Sequence, residues 1–148
     1  MNTTKLFVKR LDPRVPLPTY QTPGSAALDL SALLDAPVTI APGALVSIPT
    51  GLAVALLEPG WAGLVFARSG LGTKYGISLS NGVGVIDSDY RGEIRVGLTN
   101  LSDTPYTVNP GDRIAQLMVI PAPQVSVLEL AELPSTERGD GGFGSTGK

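Results

Sequence analysis

VTIAPGALVSIPTGLAVALLEPGWAGLVF, residues 38–66, decides how this chain folds. Its apolar runs are short, and each is closed by Pro and Gly. An α-helix cannot carry Pro and Gly at this density through its interior. Short β-branched runs bounded by turn signals read instead as strands. Val38–Ile40, Ala44–Ile48, Leu52–Leu56 and Gly63–Phe66 are therefore predicted strands, separated by APG, PTG and EPG.

The same punctuation continues outward in both directions. Leu6–Val8, Ile94–Leu98, Tyr106–Val108, Ile114–Ile120 and Val125–Leu130 complete the predicted strands, with NPG as a further turn signal. The chain holds 18 Gly and 13 Pro, spread throughout. Strands recurring near every ten residues suggest a sandwich, jelly roll or small barrel. The one predicted short helix starts near Ser69 in RSGLGTKYG, with Ser69 as its cap and Gly76 as its end. Composition breaks at Pro134. This divides the chain into a β domain, 1–133, and a Gly-rich arm, 134–148, whose one large apolar residue is Phe143.

A length of 148 residues at 43% hydrophobic suits one domain with a real core. A net charge of -2 with scattered Lys and Arg argues against a nucleic-acid surface. The sequence shows no apolar run long enough for a membrane span and no signal-peptide pattern, so a cytoplasmic location is expected. There is no Cys and no His. Disulfides, thiolate metal sites and imidazole-dependent triads are excluded. A catalytic base must come from the 13 carboxylates, or from Lys or Tyr.

Five stretches carry polar groups where chemistry could use them. GFGSTGK, 142–148, imitates a P-loop, but no Ser or Thr and no helix follow its Lys. Its glycines can still present backbone N–H groups to an anion, with Arg138, Ser145 and Thr146 as added donors and Phe143 as a ring face. The alternative is a tail without a role. In SNGVGVIDSDYRGEI, 80–94, Asn81-Gly82 reads as a tight hairpin turn. An open backbone edge there can pair with a planar heterocycle. Asp87 is either a general base for water or, with Asp89, part of a polar turn. ARSGLG, 67–72, puts Arg68 and Ser69 at a helix start, which favours a phosphate or simply caps a turn. Gln116 in GDRIAQLMV and Asp29 in GSAALDLSA are polar residues in apolar surroundings. Both need partners, an Arg being the plain one for Asp29.

Taken together and in this order, GSAALDL (24–30), ARSGLG (67–72), NGVGVIDSDYRGEI (81–94), PGDRIAQLMV (110–119) and RGDGGFGSTG (138–147) resemble the trimeric deoxyuridine triphosphatase (dUTPase) family. The resemblance covers nearly the whole chain. It implies an all-β, distorted jelly-roll or β-clip subunit with one short helix, in a homotrimer with active sites shared between subunits. The implied reaction is hydrolysis of dUTP to dUMP and pyrophosphate by attack of water on the α-phosphorus. That chemistry limits uracil in DNA and supplies dUMP for thymidylate synthesis.

The resemblance also assigns roles. Asp87 activates the water, and Gln116 helps hold it. Arg68, Ser69 and Gly70 meet the phosphates, with Asp29 ordering Arg68. Asn81 and the backbone of Gly84, Val85 and Ile86 read the uracil edge. Tyr90 lies under the deoxyribose and excludes a 2′-hydroxyl. The arm closes as a lid: Phe143 stacks on uracil, while Arg138, Gly144, Ser145 and Thr146 hold the γ-phosphate. Mg²⁺ is expected on the triphosphate through water, with Asp29 nearby and no direct protein ligand. Two rivals remain at this point. A dCTP deaminase of the same fold would need a further Glu near the base, for which Glu93 is the candidate. A non-catalytic nucleotide-binding jelly roll is the other.

Overall fold

The structure, a computed structural model, describes residues 5–56 and 59–142. Strands β1 (Phe7–Arg10), β2 (Leu28–Ser31), β3 (Val38–Ile40), β4 (Leu45–Ala55) and β5 (Trp61–Ala67) precede the helix α1 (Ser69–Tyr75). β6 (Ile77–Leu79), β7 (Gly84–Ile86), β8 (Glu93–Asn100), β9 (Tyr106–Val108) and β10 (Arg113–Pro121) follow it. They form two four-stranded sheets, β1-β4-β8-β6 and β2-β10-β5-β7, and the ribbon β3-β9. Every pairing is antiparallel. The all-β class with one short helix is thus as the Gly and Pro punctuation predicts.

Alternation supplies the core. β8 turns Ile94, Val96, Leu98 and Asn100 inward, while Arg95 faces out. Leu30, Ile40, Ile48, Val108, Ile114 and Leu117 meet that row, all at 2% exposure or less. Each such side chain contributes roughly 1.5–3 kcal/mol by leaving water. Asn100 ends the row as one of two buried polar residues among those described. Its amide nitrogen donates to the carbonyls of Ile40 (2.9 Å) and Thr104 (2.8 Å), and its oxygen accepts from Ser102 N–H (2.9 Å). Asn100→Ala removes one partner from each of the three backbone groups, of which the Thr104 carbonyl keeps Ser102 Oγ at 3.0 Å. An unmade buried hydrogen bond costs about 1–3 kcal/mol. The variant should lose about 3–5 kcal/mol, read by chemical denaturation at one fixed protein concentration.

Four predicted features come out differently. Ala44–Ile48 and Leu52–Leu56 are one strand, β4, running through the PTG signal. Gly51 absorbs the irregularity at φ 65°, and the ladder with β8 shifts register between Pro49 and Ala53. Ser69 does not cap α1. The N-cap is Arg68, with no side-chain cap bond, whereas Gly76 does end the helix at φ 69°. The turn at Asn81-Gly82 exists, with Gly82 N–H bonded to Leu79 O at 3.2 Å. It is not a simple hairpin, because β6 pairs with β8 and β7 pairs with β5. The turn therefore crosses from one sheet to the other. Val125–Leu130 forms no strand. No strand edge of the same chain reaches it, and its apolar side chains stay exposed, from 60% at Leu130 to 88% at Val127.

Candidate active site

The sheet crossover at residues 80–83 opens a cleft. β7 is the outer strand of its sheet, so one of its backbone edges has no strand partner. Asn81, Gly84, Val85, Ile86, Asp87 and Tyr90 line a cavity of about 230 Å³ there, floored by Val65, Ile94 and Val96. That is below the roughly 300–1,000 Å³ of drug-sized pockets. It suits a small flat ring entering edge-on against backbone.

Glu93, Asp87 and Asp29 are the carboxylates that line this cleft or the next one. Glu93 is occupied: its Oε1 accepts the Gly51 N–H at 2.9 Å and its Oε2 lies 3.4 Å from Arg95. Asp29 is occupied as well, as described below. The exposed Asp87 carboxylate accepts no hydrogen bond and joins no ion pair among the described residues, so it is free to take a proton from water. Glu93, committed to holding β8 against β4, is a poor proton shuttle, which weighs against deamination.

A second cleft lies on the outward face of the β2-β10-β5-β7 sheet, away from the β7 edge. Register makes it: Gln116 stands opposite Asp29 on β2 and opposite Phe66 on β5. β10 is irregular between Arg113 and Ala115. Without that bulge, Arg113 and Gln116, three residues apart, would point to opposite faces. Instead both line one cavity with Asp29, Arg68, Ser69 and Gly70. Arg113 Nη1 donates to Asp29 Oδ2 at 3.0 Å, and Arg68 Nε lies 3.4 Å from Asp29 Oδ1. Arg68 Nη1 donates to the Arg113 carbonyl at 3.0 Å. One carboxylate thus orders two guanidiniums beside the first turn of α1. Gln116 Nε2 donates to Ala67 O at 3.0 Å, leaving its amide oxygen without a partner among the described residues.

The predicted site residues therefore fall into two groups. Asn81, Gly84, Val85, Ile86, Asp87 and Tyr90 share the ring-sized cleft, and Asp29, Arg68, Ser69, Gly70 and Gln116 share the cationic one. The two clefts have no lining residue in common. Arg138 lies in neither; its Nε donates to Gly141 O at 2.7 Å. Phe143, Gly144, Ser145 and Thr146 lie outside the described residues. Arg113 is the addition: residue type alone does not reveal that a partner 84 positions away meets it.

Known proteins share this fold and this sequence. A family model described as dUTPase matches residues 14–147. The deoxyuridine 5′-triphosphate nucleotidohydrolase of Aeromonas salmonicida is 50% identical over 150 residues, covering 99% of both chains. That of Paraburkholderia phymatum is 52% identical over 146 residues, covering 97% of this chain and 99% of its own. Among solved structures, the Staphylococcus bacteriophage 80alpha dUTPase with dUPNHPP superposes with a TM-score of 0.87. It is 27% identical, over 99% of this chain and 100% of that one.

Proposed function

The chain belongs to the dUTPase family and hydrolyses dUTP as a dUTP diphosphatase, and we propose that Asp87 activates the water that attacks the α-phosphorus. The observation that carries this is the free Asp87 carboxylate at the ring-sized cleft, where Asp29 and Glu93 are both committed elsewhere. Uracil pairs with the open edge of β7, held by Asn81 and the backbone of Gly84, Val85 and Ile86. A 5-methyl group meets the same tight turn, and a cytosine offers a donor where the edge wants an acceptor. Hydrogen-bond mismatch of that kind can reach factors of about 10⁴. Tyr90 lies under the deoxyribose.

The triphosphate belongs to the cationic cleft. Arg68, Ser69, Gly70 and Gln116 meet it, and Gln116, through its unpartnered amide oxygen, also orients the water. Mg²⁺ would be held by phosphate oxygens and water. The residues fit that role: Asp29, the carboxylate lining this cleft, is engaged by the guanidiniums of Arg113 and Arg68, which leaves phosphate oxygens and water to hold the ion. Bound there, the ion neutralises charge on the phosphates. Positioning and charge neutralisation carry most of the rate, with general-base help worth about 10²–10⁴-fold.

Base and phosphates of one nucleotide need both clefts, and within one chain these share no lining residue. This supports a homotrimer whose sites combine clefts from different subunits. The apolar side chains exposed over Val125–Leu133 support it too, since a row of that kind wants cover. Residues 134–148 act as the lid, with Arg138, Phe143, Gly144, Ser145 and Thr146 on the nucleotide. A cytoplasmic location goes with this chemistry, where deoxynucleotides are made and used. dUTP is the partner, with neither nucleic acid nor membrane.

Turnover of dUTP in ¹⁸O-labelled water with Mg²⁺ tests the route. The expected result is one label in dUMP and none in pyrophosphate, with no ammonia from dCTP. Label in the pyrophosphate would place the attack on the β-phosphorus and overturn the assignment.

A further inference from the structure

Gly92 lies beside the proposed sugar platform and is glycine for a reason other than backbone conformation. It is absent from the residues of positive φ, unlike Gly51 or Gly82. What it lacks is room. A Cβ there would overlap the Tyr90 hydroxyl oxygen and lie 2.6 Å from Tyr90 Cζ and 3.0 Å from Cε2. The phenol folds back over the bare Gly92 and donates to the Glu93 carbonyl at 3.0 Å. Glu93 is itself held by the Gly51 N–H, and Arg91 Nη1 donates to the carbonyls of Ser88 (2.7 Å) and Tyr90 (2.8 Å). The loop is fastened on both sides, and the ring is seated by an absence.

We propose that Gly92 is a positioning residue for sugar selection. Its missing side chain lets the Tyr90 ring lie where a 2′-hydroxyl would have to go. The inference rests on Tyr90 as the platform under deoxyribose. A methyl at residue 92 leaves the ring one easy escape. Tyr90 is 43% exposed, so it can swing into solvent at the loss of a single hydrogen bond. The fold survives that movement, whereas the wall against ribose does not.

The test is a double-mutant cycle read as the ratio of kcat/KM for dUTP to that for UTP. Gly92→Ala should lower the ratio by about 10- to 100-fold, since displacement by about 1 Å can cost that much. Tyr90→Ala should lower it at least as far. Adding Gly92→Ala to Tyr90→Ala should change nothing more, because the ring it displaces is gone. A general folding defect lowers both kcat/KM values alike and leaves the ratio untouched, whereas a fall in the ratio of equal size in both backgrounds would place the effect outside the Tyr90 ring and overturn the proposal. So would an unchanged ratio in Gly92→Ala beside a collapsed ratio in Tyr90→Ala, which leaves the platform standing. An unchanged ratio in Tyr90→Ala itself would remove the platform and this role of Gly92 together.

Discussion

Asp87→Asn should bind dUTP about as tightly as the parent chain and turn it over about 10²–10⁴-fold more slowly, the usual worth of a positioned general base. Asn keeps the size and polarity of Asp but cannot accept a proton from water. The side chain makes no hydrogen bond or ion pair among the described residues, so the change breaks no structural contact. The β7 edge, Tyr90 and the Asp29-ordered guanidiniums remain as they are. Calorimetric titration with the Mg²⁺ complex gives the binding side, and pyrophosphate release gives the turnover. Parental turnover in the variant would remove Asp87 from the mechanism. Loss of binding to the same degree as turnover would make it a substrate-holding residue.

The contrast among carboxylates shows what could be read beforehand and what could not. Asp87 follows a turn signal that needs no tertiary context, so its place near a polar turn is legible, though not that the turn crosses between sheets. That Glu93 is unavailable was not. Its partner is the N–H of Gly51, 42 positions away, exposed by an irregularity in β4. The PTG signal at 49–51 marks a disturbance in the strand rather than its end. A break and a bulge look alike in sequence, and here Glu93 satisfies the freed donor and lets β4 continue.

Short strands were lost for a related reason. LDLS, ISL and GVI become β2, β6 and β7. Three or four residues with Asp, Ser or Gly among them carry too little alternation to be recognised alone. They become strands because neighbours offer ladders, as β10 does for Leu28–Ser31. Val125–Leu130 is the converse, a strand-like pattern without a ladder in its own chain. The long-range pairing of Arg113 with Asp29 likewise depends on β2–β10 register.

Ending the chain after Pro134 should leave a folded protein of parental oligomeric mass with at least about 10²-fold less activity, the scale on which withdrawing one strong donor from developing charge is felt. Among the described residues the last strand ends at Pro121, and no buried core residue lies beyond Leu117. Between 134 and 142 the hydrogen bonds close on the segment itself: Arg138 to Gly141 O, and Gly139 N–H to Thr136 Oγ1 at 3.1 Å. The thermal midpoint should therefore hardly move. Activity should fall because the proposed lid supplies Arg138 and the Phe143–Thr146 segment to the nucleotide and keeps bulk water from the phosphates. Arg138→Ala in the full chain separates the two contributions. If charge at the phosphates dominates, it reproduces most of the loss; if exclusion of water dominates, it stays nearer the parent. A truncated chain with parental kcat/KM for dUTP would show that residues 135–148 take no part in catalysis, and the two clefts would have to do all of it.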